Sequence, residues 1–566
     1  MKRDTNRLGS ESFDVLVIGA GIYGATIARA AVLRGLKVAL VEQGDFGQAT
    51  SANSLKVIHG GLRYLQHLDL KRMRESIIAR RRLLRLAPHL VHPQACVIPT
   101  YGYGMRSRFL MAAALFVNDL IAWDRNARVS PHRCIPGGRI LSRSECLEIM
   151  PGIDKDHLTG GAQWYDCVVS DTERLTLSFV IAACEQGACV ANYTRVDKYI
   201  VSGGEVKGAK VTDTLNGHVF DIDARLVISA TGPWEGQLLR ALRGDGVQGT
   251  ISGWAQAMNI VVDRTIFESH AVGIASSQKF IDKDAVVDKG SRYLFFVPWQ
   301  GGTLIGTDYR VYEGDPESCR LEPESIAALV NEVNRVYPAA RLSADEVSFS
   351  HVGLLPMKSR GVACDENVDL TKNEQILDLE ASEGIKGIIS VTGVKYTTAV
   401  QVADKVADLA LSKLGYSQLR EIPDPPLGGG GEILDSPIET PQRSTVCDGE
   451  AEGSGSRLVR HLMQRYGTLY PQVLQLVKEE PAYGLTLSDG HETITAEVLY
   501  AVRHEMACKL SDVILRRTGL GSRTYPGKEA IRKSASIMAQ ELGWGERRLF
   551  EEISAVDTIY NLHTHS

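Results

Sequence analysis

The chain holds 566 residues, 44% of them hydrophobic and 23% charged, which sets the expectation at a globular enzyme of about two to four domains. A formal net charge of −5 gives no footing for a nucleic-acid partner. The ten cysteines form no C-x-x-C pair and the polar start, Met1 to Ser12, has no apolar run, so no metal site, disulfide framework or signal peptide is expected, and the expected location is cytoplasmic.

A β-rich apolar run, Val15 to Ile18, ends in Gly19-Ala20-Gly21-Ile22-Tyr23-Gly24. A helical pattern follows through Ala31, and a second apolar run, Lys37 to Val41, ends on Glu42. Strand, glycine turn, helix, strand and acid in this order are the dinucleotide-binding βαβ fingerprint. Gly19 allows the tight turn, Gly21 lets a pyrophosphate approach the backbone, and Gly24 lets the helix pack close to the strand. The helix start offers free N–H groups and a positive dipole end to the diphosphate. Glu42 is the candidate acceptor for ribose hydroxyls, and an acid there argues against a 2′-phosphate. The pattern alone leaves FAD and NAD both open.

The next loop, rich in Gly, Ser, Thr and Asn, places Thr50, Ser51 and Ser54 as hydroxyls for a second phosphate or for ribose. Lys56 to Leu65 then brings together a base, His59, the paired glycines Gly60 and Gly61, a cation, Arg63, and a phenol, Tyr64. Paired glycines permit close approach of backbone to a flat ring.

The run from Asp14 to Leu65, with A-T-S leading into S-x-K-x-I-H-G-G-L-R-Y-L, resembles the FAD-dependent glycerol-3-phosphate dehydrogenases of the amino-acid-oxidase-like flavoprotein superfamily. The resemblance implies FAD as the dinucleotide. It also implies an α/β fold: a Rossmann-like FAD-binding domain, an inserted mixed β-sheet substrate domain, and a C-terminal all-helical domain. The boundaries expected are 13–425 for the oxidoreductase core, 426–456 for a linker and 457–566 for the helical domain. Within the core, about 13–75, 160–250 and 350–425 bind FAD, and about 76–160 and 250–350 bind substrate.

Residues 67–90 read as a helix with Met73, Ile77 and Leu84 on one face and arginines elsewhere, a solvated basic face by default. Phe109 to Trp123 is apolar, interrupted by Asn118 and Asp119, flanked by Arg106, Arg108, Arg125 and Arg128, and too short to span a bilayer. Two readings stay open for it: a buried helix of the substrate domain, or a monotopic helix lying in the lipid interface. Tyr165 to Cys167 and Ser170 to Leu175 resemble the family's return to the FAD domain, with a helix to Glu185 and a strand at Ala188 to Asn192. Alternation from Asp197 to Val227, with turns at Gly203-Gly204 and Asn216-Gly217, predicts a β-meander.

The strand Leu226 to Ser229 runs into Ala230-Thr231-Gly232-Pro233-Trp234, a second family signature, where Gly232 lets backbone approach the cofactor. Residues 250–350 read as a mixed sheet carrying the family's R-x-L-F-F-V-P-W run, Arg292 to Trp299. Ile388 to Thr398 is the third signature. There Gly393, Lys395, Thr397 and Thr398 mark a strand, glycine and helix start that aims N–H groups at the flavin's pyrimidine end. Glu421 to Ser456, rich in Pro and Gly, reads as a linker, and the pattern from Arg457 on is helical; Tyr500 to Glu505 and Leu515 to Thr518 resemble the family's C-terminal domain.

The substrate positions depart from the family. Its K-G-S-H becomes Gln256-Ala257-Met258-Asn259, and the arginine of its S-G-V-R-P-L becomes Leu355. The arginine of T-R-D-Y aligns with Lys372, and its T-T-Y-R becomes Thr397-Thr398-Ala399-Val400. A phosphate dianion favours bidentate arginine contacts, which leucine lacks, so either Lys358, Arg360 or Lys372 takes over the anion or the substrate is another. The main expectation is an FAD-dependent dehydrogenase of a small secondary alcohol, glycerol 3-phosphate or a related polyol phosphate. Hydride would pass to flavin N5, and the resemblance implies that electrons then pass to a quinone, with the protein peripheral on the inner face of the cell membrane. His59 is the candidate base, with a histidine packed beside the ring for geometry only as the alternative. Arg63 and Lys395 would hold the anion and Tyr64 a substrate hydroxyl. The rival functions are an oxygen-using flavin oxidase of another hydroxy or amine substrate, and a catalytically inactive FAD-binding module. A homodimer is left open.

Overall fold

A computed structural model describes residues 1–104, 106–243, 251, 253–278, 292–358, 368–417, 422–430 and 454–564. β1 (Ser12–Ile18), α1 (Ile22–Val32) and β2 (Val38–Val41) form the opening unit, with Val15 to Ile18 running parallel to Val38 to Val41. Both runs are buried throughout, which is why they read as unbroken apolar stretches: parallel strands covered on two faces have no polar side.

The chain then leaves this layer through β3 (Val57–Ile58), α2 (Leu70–Leu86), β4 (Val91–Tyr101), α3 (Arg108–Ile121), β5 (Arg139–Leu141) and β6 (Leu158–Val169). α4 (Thr172–Glu185) and β7 (Cys189–Ala191) return to it. The meander β8 (Thr194–Ser202), β9 (Glu205–Asp213) and β10 (Val219–Ser229) follows, and β10 runs parallel to β1. β11 (Trp254–Val262), β12 (His270–Ala275), β13 (Tyr293–Trp299), β14 (Gly302–Tyr312) and β15 (Val347–Pro356) build the second layer. β16 (Gln375–Asp378), β17 (Ile388–Thr392) and α5 (Ala399–Leu414) close the first, with α5 packed on α1.

Two sheets result. The first has the order β16-β17-β10-β1-β2-β7, with β9 and β8 joined through β10. The second has the order β15-β11-β14-β13-β12-β4-β6-β3, with β5 beside β6. The glycine turn after β1 and the ends of β10 and β17 therefore lie side by side at the carboxyl end of the first sheet's parallel strands, where open α/β sheets bind ligands. The C-terminal domain holds α6 (Ser454–Tyr466), α7 (Tyr470–Glu479), α8 (Thr495–His504), a π turn (Val513–Arg517), α9 (Lys528–Leu542) and α10 (Glu546–Thr564). It shares one apolar core with the second sheet: Val498, Ile514 and Tyr560 pack in the cluster that contains Val261, Leu304 and Phe349.

Several expectations shift. β3, β6 and the whole of β15 belong to the second sheet, so the two layers exchange chain at other points than the sequence spacing suggested. The arginines of α2 are not a solvated face: Arg74 and Arg81 meet Asp124, Arg80 meets Asp166, and Arg82 meets Asp404 and Asp424. The described part of the expected linker is packed, with Leu427 buried against Leu86 backbone and Asp424 paired to Arg29. The 109–123 segment is not a core helix: only Leu115 of α3 is buried, while Phe109, Phe116 and Trp123 are 72%, 71% and 79% exposed.

Candidate active site

A cavity of about 1390 Å³ runs from the glycine turn to the second sheet. It exceeds the roughly 300–1000 Å³ of ordinary small-ligand pockets, as an extended dinucleotide with a second small molecule requires. Gly19 (φ +92) starts the turn, and a Cβ there would lie 2.7 Å from the Ala230 carbonyl oxygen. A Cβ on Gly24 would fall 1.7 Å from the Gly19 carbonyl oxygen, so α1 starts hard against the strand end. Gly21 caps α1 and borders the cavity; beside it the Ser51 hydroxyl accepts the Ile22 N–H at 2.9 Å.

Glu42 lines the same end. Its Oε2 accepts the Ala20 N–H at 2.7 Å and its Oε1 accepts the Gly44 N–H at 3.0 Å, so it pins the turn as well as facing the ligand's position. Burial pushes this carboxyl up, and those N–H groups oppose it. Ser54 borders the cavity and accepts the Lys56 N–H at 3.2 Å. Among the described residues, Gly232 (φ +54) has nothing within 4 Å of where a Cβ would sit, and beside it the buried Trp234 indole N–H has no partner. An open glycine cradle, a bared helix start and an orphaned donor are what a bound dinucleotide would fill. The residues fit FAD.

At the far end the cavity meets His59, Gly61, Arg63, Tyr64, Lys395 and Thr397. The His59 ring lies edge-on to Tyr64 at 6.1 Å, and the Lys395 ammonium sits 4.5 Å from the centre of the Tyr64 ring. The His59 N–H of the backbone donates to Thr397 Oγ1 at 3.3 Å, which ties β3 to the third signature. Burial pulls the His59 imidazole down to about 4, with Asp166 opposing and Lys395 adding to the drop. Lys395 is pulled down to about 8, by burial first and Arg72 second, and its Nζ donates to the Lys372 carbonyl at 3.1 Å. Burial pushes the Tyr64 phenol up to about 12.

Several expected roles shift once the contacts are seen. Gly60 does not face a flat ring: its Cβ direction is filled by the Arg80 guanidinium, 2.4 Å away, and its N–H donates to Asp166 at 2.5 Å. Gly61 (φ +84) does border the cavity, but its Cβ would collide with the Tyr64 ring, so the pair of glycines serves packing around α2. Thr50 spends its hydroxyl on Leu354 backbone, at 3.1 and 3.2 Å, tying the loop to β15. In the third signature, the Val394 and Lys395 N–H groups donate to the Tyr23 hydroxyl, each at 3.2 Å, rather than to a ligand. Gly393 is glycine because the Tyr23 ring occupies its Cβ position, and Thr398 lies beside that same hydroxyl rather than on the cavity.

The substrate side also holds residues the sequence did not single out as site residues. Arg292, just before β13, lines the cavity with its guanidinium 4.9 Å from the centre of the Tyr309 ring. Burial lowers the Arg292 pKa, and nearby Arg63 adds to the drop. Its sequence signal was its place at the head of the R-x-L-F-F-V-P-W run, which gave it no role of its own. Lys372 also borders the cavity, 3.3 Å from His67 Nε2; Lys358 is exposed at the surface, and Arg360 lies outside the described residues. Leu355 and Asn259 face the cavity where the family's cations were expected, and Asn259 Oδ1 accepts the Thr307 hydroxyl at 2.7 Å.

Comparison with known proteins agrees with this geometry. Residues 14–409 match the FAD dependent oxidoreductase family, and residues 426–549 match the C-terminal domain of alpha-glycerophosphate oxidase. The glycerol-3-phosphate dehydrogenase of Synechocystis sp. is 31% identical over 97% of both chains, and that of Mycobacterium leprae is 31% identical over 97% of this chain and 88% of its own. The crystal structure of the Bacillus halodurans glycerol-3-phosphate dehydrogenase complexed with FAD superposes with a TM-score of 0.73 at 25% identity, covering 99% of this chain and 96% of that one. Fingerprint, cavity and full-length similarity agree: the chain belongs to the FAD-dependent glycerol-3-phosphate dehydrogenase family and is an FAD-dependent oxidoreductase acting on CH–OH donors.

Proposed function

We propose that the protein oxidises glycerol 3-phosphate or a closely related polyol phosphate at its secondary carbinol and hands the electrons to a membrane quinone. The observation that carries the substrate reading is the cationic wall around His59: Arg63, Arg292, Lys372 and Lys395 border one end of a single cavity. Four cations on one wall favour an anionic substrate, and the two guanidiniums suit a phosphate. With Leu355 and Asn259 above, the anion sits at this wall rather than under the second sheet. Bound FAD supplies the acceptor for the carbinol hydride. His59 accepts the hydroxyl proton; burial keeps it neutral at pH 7, and an anion beside it raises its basicity toward the working range. Tyr64 holds a substrate hydroxyl, and Lys395 and Arg63 fix the anion so that the C–H bond is positioned for transfer.

The acceptor reading rests on α3. Leu110, Ala113 and Val117 line the cavity mouth, together with Leu68 and Leu70, while Phe109, Phe116 and Leu120 of the same helix stand exposed. Among the described residues no helix is long and apolar enough to cross a membrane. An exposed apolar helix face flanked by Arg106 and Arg108 suits the lipid interface, and it would place the cavity mouth where a quinone diffuses. Anaerobic bleaching of the flavin by a panel of polyol phosphates, free polyols and hydroxy acids tests the first half. Bleaching by free polyols as fast as by their phosphates would refute the anion assignment. Turnover with a soluble quinone analogue but not with oxygen tests the second half; equal turnover with oxygen would make the protein an oxidase, as the name of one relative, 27% identical from Streptococcus pneumoniae, suggests.

A further inference from the structure

Outside the cavity, a dense cluster of buried charge lies between the C-terminal domain and the loop after β2. Asp45 in that loop is fully buried. Its Oδ2 accepts from Arg517 Nη1 at 2.7 Å and Arg516 Nε at 2.5 Å, and its Oδ1 accepts from Arg517 Nη2 at 2.7 Å and Asn192 Nδ2 at 3.1 Å. Burial alone would raise the Asp45 carboxyl; Arg517 and Arg516 outweigh it and hold the group well below the usual carboxylate range. Arg516 also donates to Asp512 at 2.8 Å, and Asp512 accepts the Tyr193 hydroxyl at 2.6 Å. Arg517 donates through Nε to the Glu505 carbonyl at 3.0 Å. Both arginines sit on the π turn Val513–Arg517, an element found often at functional sites.

The loop that Asp45 anchors is the cofactor's own. Gln43, Gly47 and Gln48, on either side of Asp45, line the cavity. Asp45 donates its N–H to Gln48 Oε1 at 3.1 Å, and Gly47 donates its N–H to the Ala20 carbonyl inside the glycine turn at 3.0 Å. The strand neighbours are held too: Tyr193 N–H donates to the Gly44 carbonyl at 2.8 Å, and Thr194 N–H to the Glu42 carbonyl at 2.7 Å. A second tie runs beside it, where Arg465 donates to Asp171 at 2.5 Å and to the Arg517 carbonyl at 3.0 Å. Asp171 caps α4, whose Glu173 receives the fully buried Lys56 ammonium at 2.8 Å, three residues before His59.

We propose that Asp45, Arg516 and Arg517 are positioning residues: through them the C-terminal domain fixes the loop that cradles FAD, so that cofactor binding and docking of the C-terminal domain reinforce each other. Removing one partner of a buried pair strands a charge that must find water, which the loop can do only by moving. Because Gly47 is bonded to the glycine turn, that movement reaches the pyrophosphate position. Linkage makes the effect reciprocal, so FAD must tighten the docking that tightens FAD. The inference rests on assignment of the cavity to FAD, and its readouts do not depend on turnover.

The test measures FAD dissociation from reconstituted protein by fluorescence for Asp45→Asn, Arg517→Lys and the double variant, beside amide exchange of the wild type with and without FAD. Each single variant is expected to weaken FAD about 10-fold or more, and the double variant to add little, because the two side chains act as one unit. Wild-type amides over 505–518, remote from the cavity lining, are expected to gain protection on FAD loading. FAD affinity within twofold of wild type in both single variants would overturn the proposal, whatever their melting temperatures, since a merely structural role moves only those. If the variants fail to fold, the wild-type exchange decides: unchanged protection at 505–518 refutes the coupling. Absence of FAD binding in the wild type would instead refute the cavity assignment.

Discussion

Gly24→Ala is the sharpest perturbation the cofactor turn admits. A single methyl group placed there stands 1.7 Å from the Gly19 carbonyl oxygen and 2.9 Å from its carbon. That is about 1.3 Å short of the 3.0 Å a Cβ needs, and both colliding groups are backbone, so no side chain can swing aside. Overpacking of this kind costs about 1–3 kcal/mol, and the backbone nature of the clash puts it at the upper end. The strain is relieved only if α1 slides away from β1, which moves the N–H groups at the helix start. If most of about 3 kcal/mol is released when the turn loosens, FAD affinity falls on the order of 100-fold. The assay is fluorescence titration of apoprotein with FAD. Gly236→Ala is the internal control: that exposed helical glycine has nothing within 4 Å of its Cβ position and a negative φ, so alanine leaves FAD binding unchanged and stabilises by about 0.5–1 kcal/mol. FAD binding by Gly24→Ala within threefold of wild type would show that the clash is absorbed elsewhere and that the turn does not set the pyrophosphate site.

Three further outcomes are expected. Tyr23→Phe leaves the Val394 and Lys395 N–H groups and the Lys395 carbonyl without their common partner, at about 1–3 kcal/mol for the lost satisfaction, and turnover should fall while the fold survives; an unchanged kcat would show that the third signature holds its shape without that hydroxyl. His59, His89 and His92 are each held below the ordinary histidine value, at about 4, 3 and 4, by burial first. The unfolded chain therefore binds more protons than the folded one between about pH 6.5 and 4, and stability is lost as pH falls through that window. Chemical denaturation of His89→Gln across this range should show a shallower slope than wild type, and an identical slope would place the acid lability elsewhere. Phe109→Glu with Phe116→Glu should abolish flotation with anionic vesicles while leaving flavin bleaching by substrate intact; retained flotation would return α3 to an ordinary surface helix.

What the sequence settled by itself was everything written in local chemistry. Strand, glycine turn, helix, strand and acid occupy consecutive positions, so the βαβ unit and its three glycines could be read from spacing alone, and the packing of Gly19 and Gly24 follows directly. The meander was legible for the same reason, because alternation and Gly turns are short-range signals. Tertiary structure decided which groups those signals meet. Asp45 and Arg517 stand 472 residues apart and Tyr23 and Lys395 stand 372 apart, so no local pattern could show that one anchors the cofactor loop or that the other consumes the N–H groups of the third signature. The apolar stretch 109–123 could be core or surface by composition; only its placement beside the cavity, with Leu115 and Ala122 buried among many exposed side chains, separated the two. Burial is a property of neighbours, and the neighbours come from distant chain. For the same reason the cationic wall of Arg63, Arg292, Lys372 and Lys395 exists only once two sheets close over one cavity.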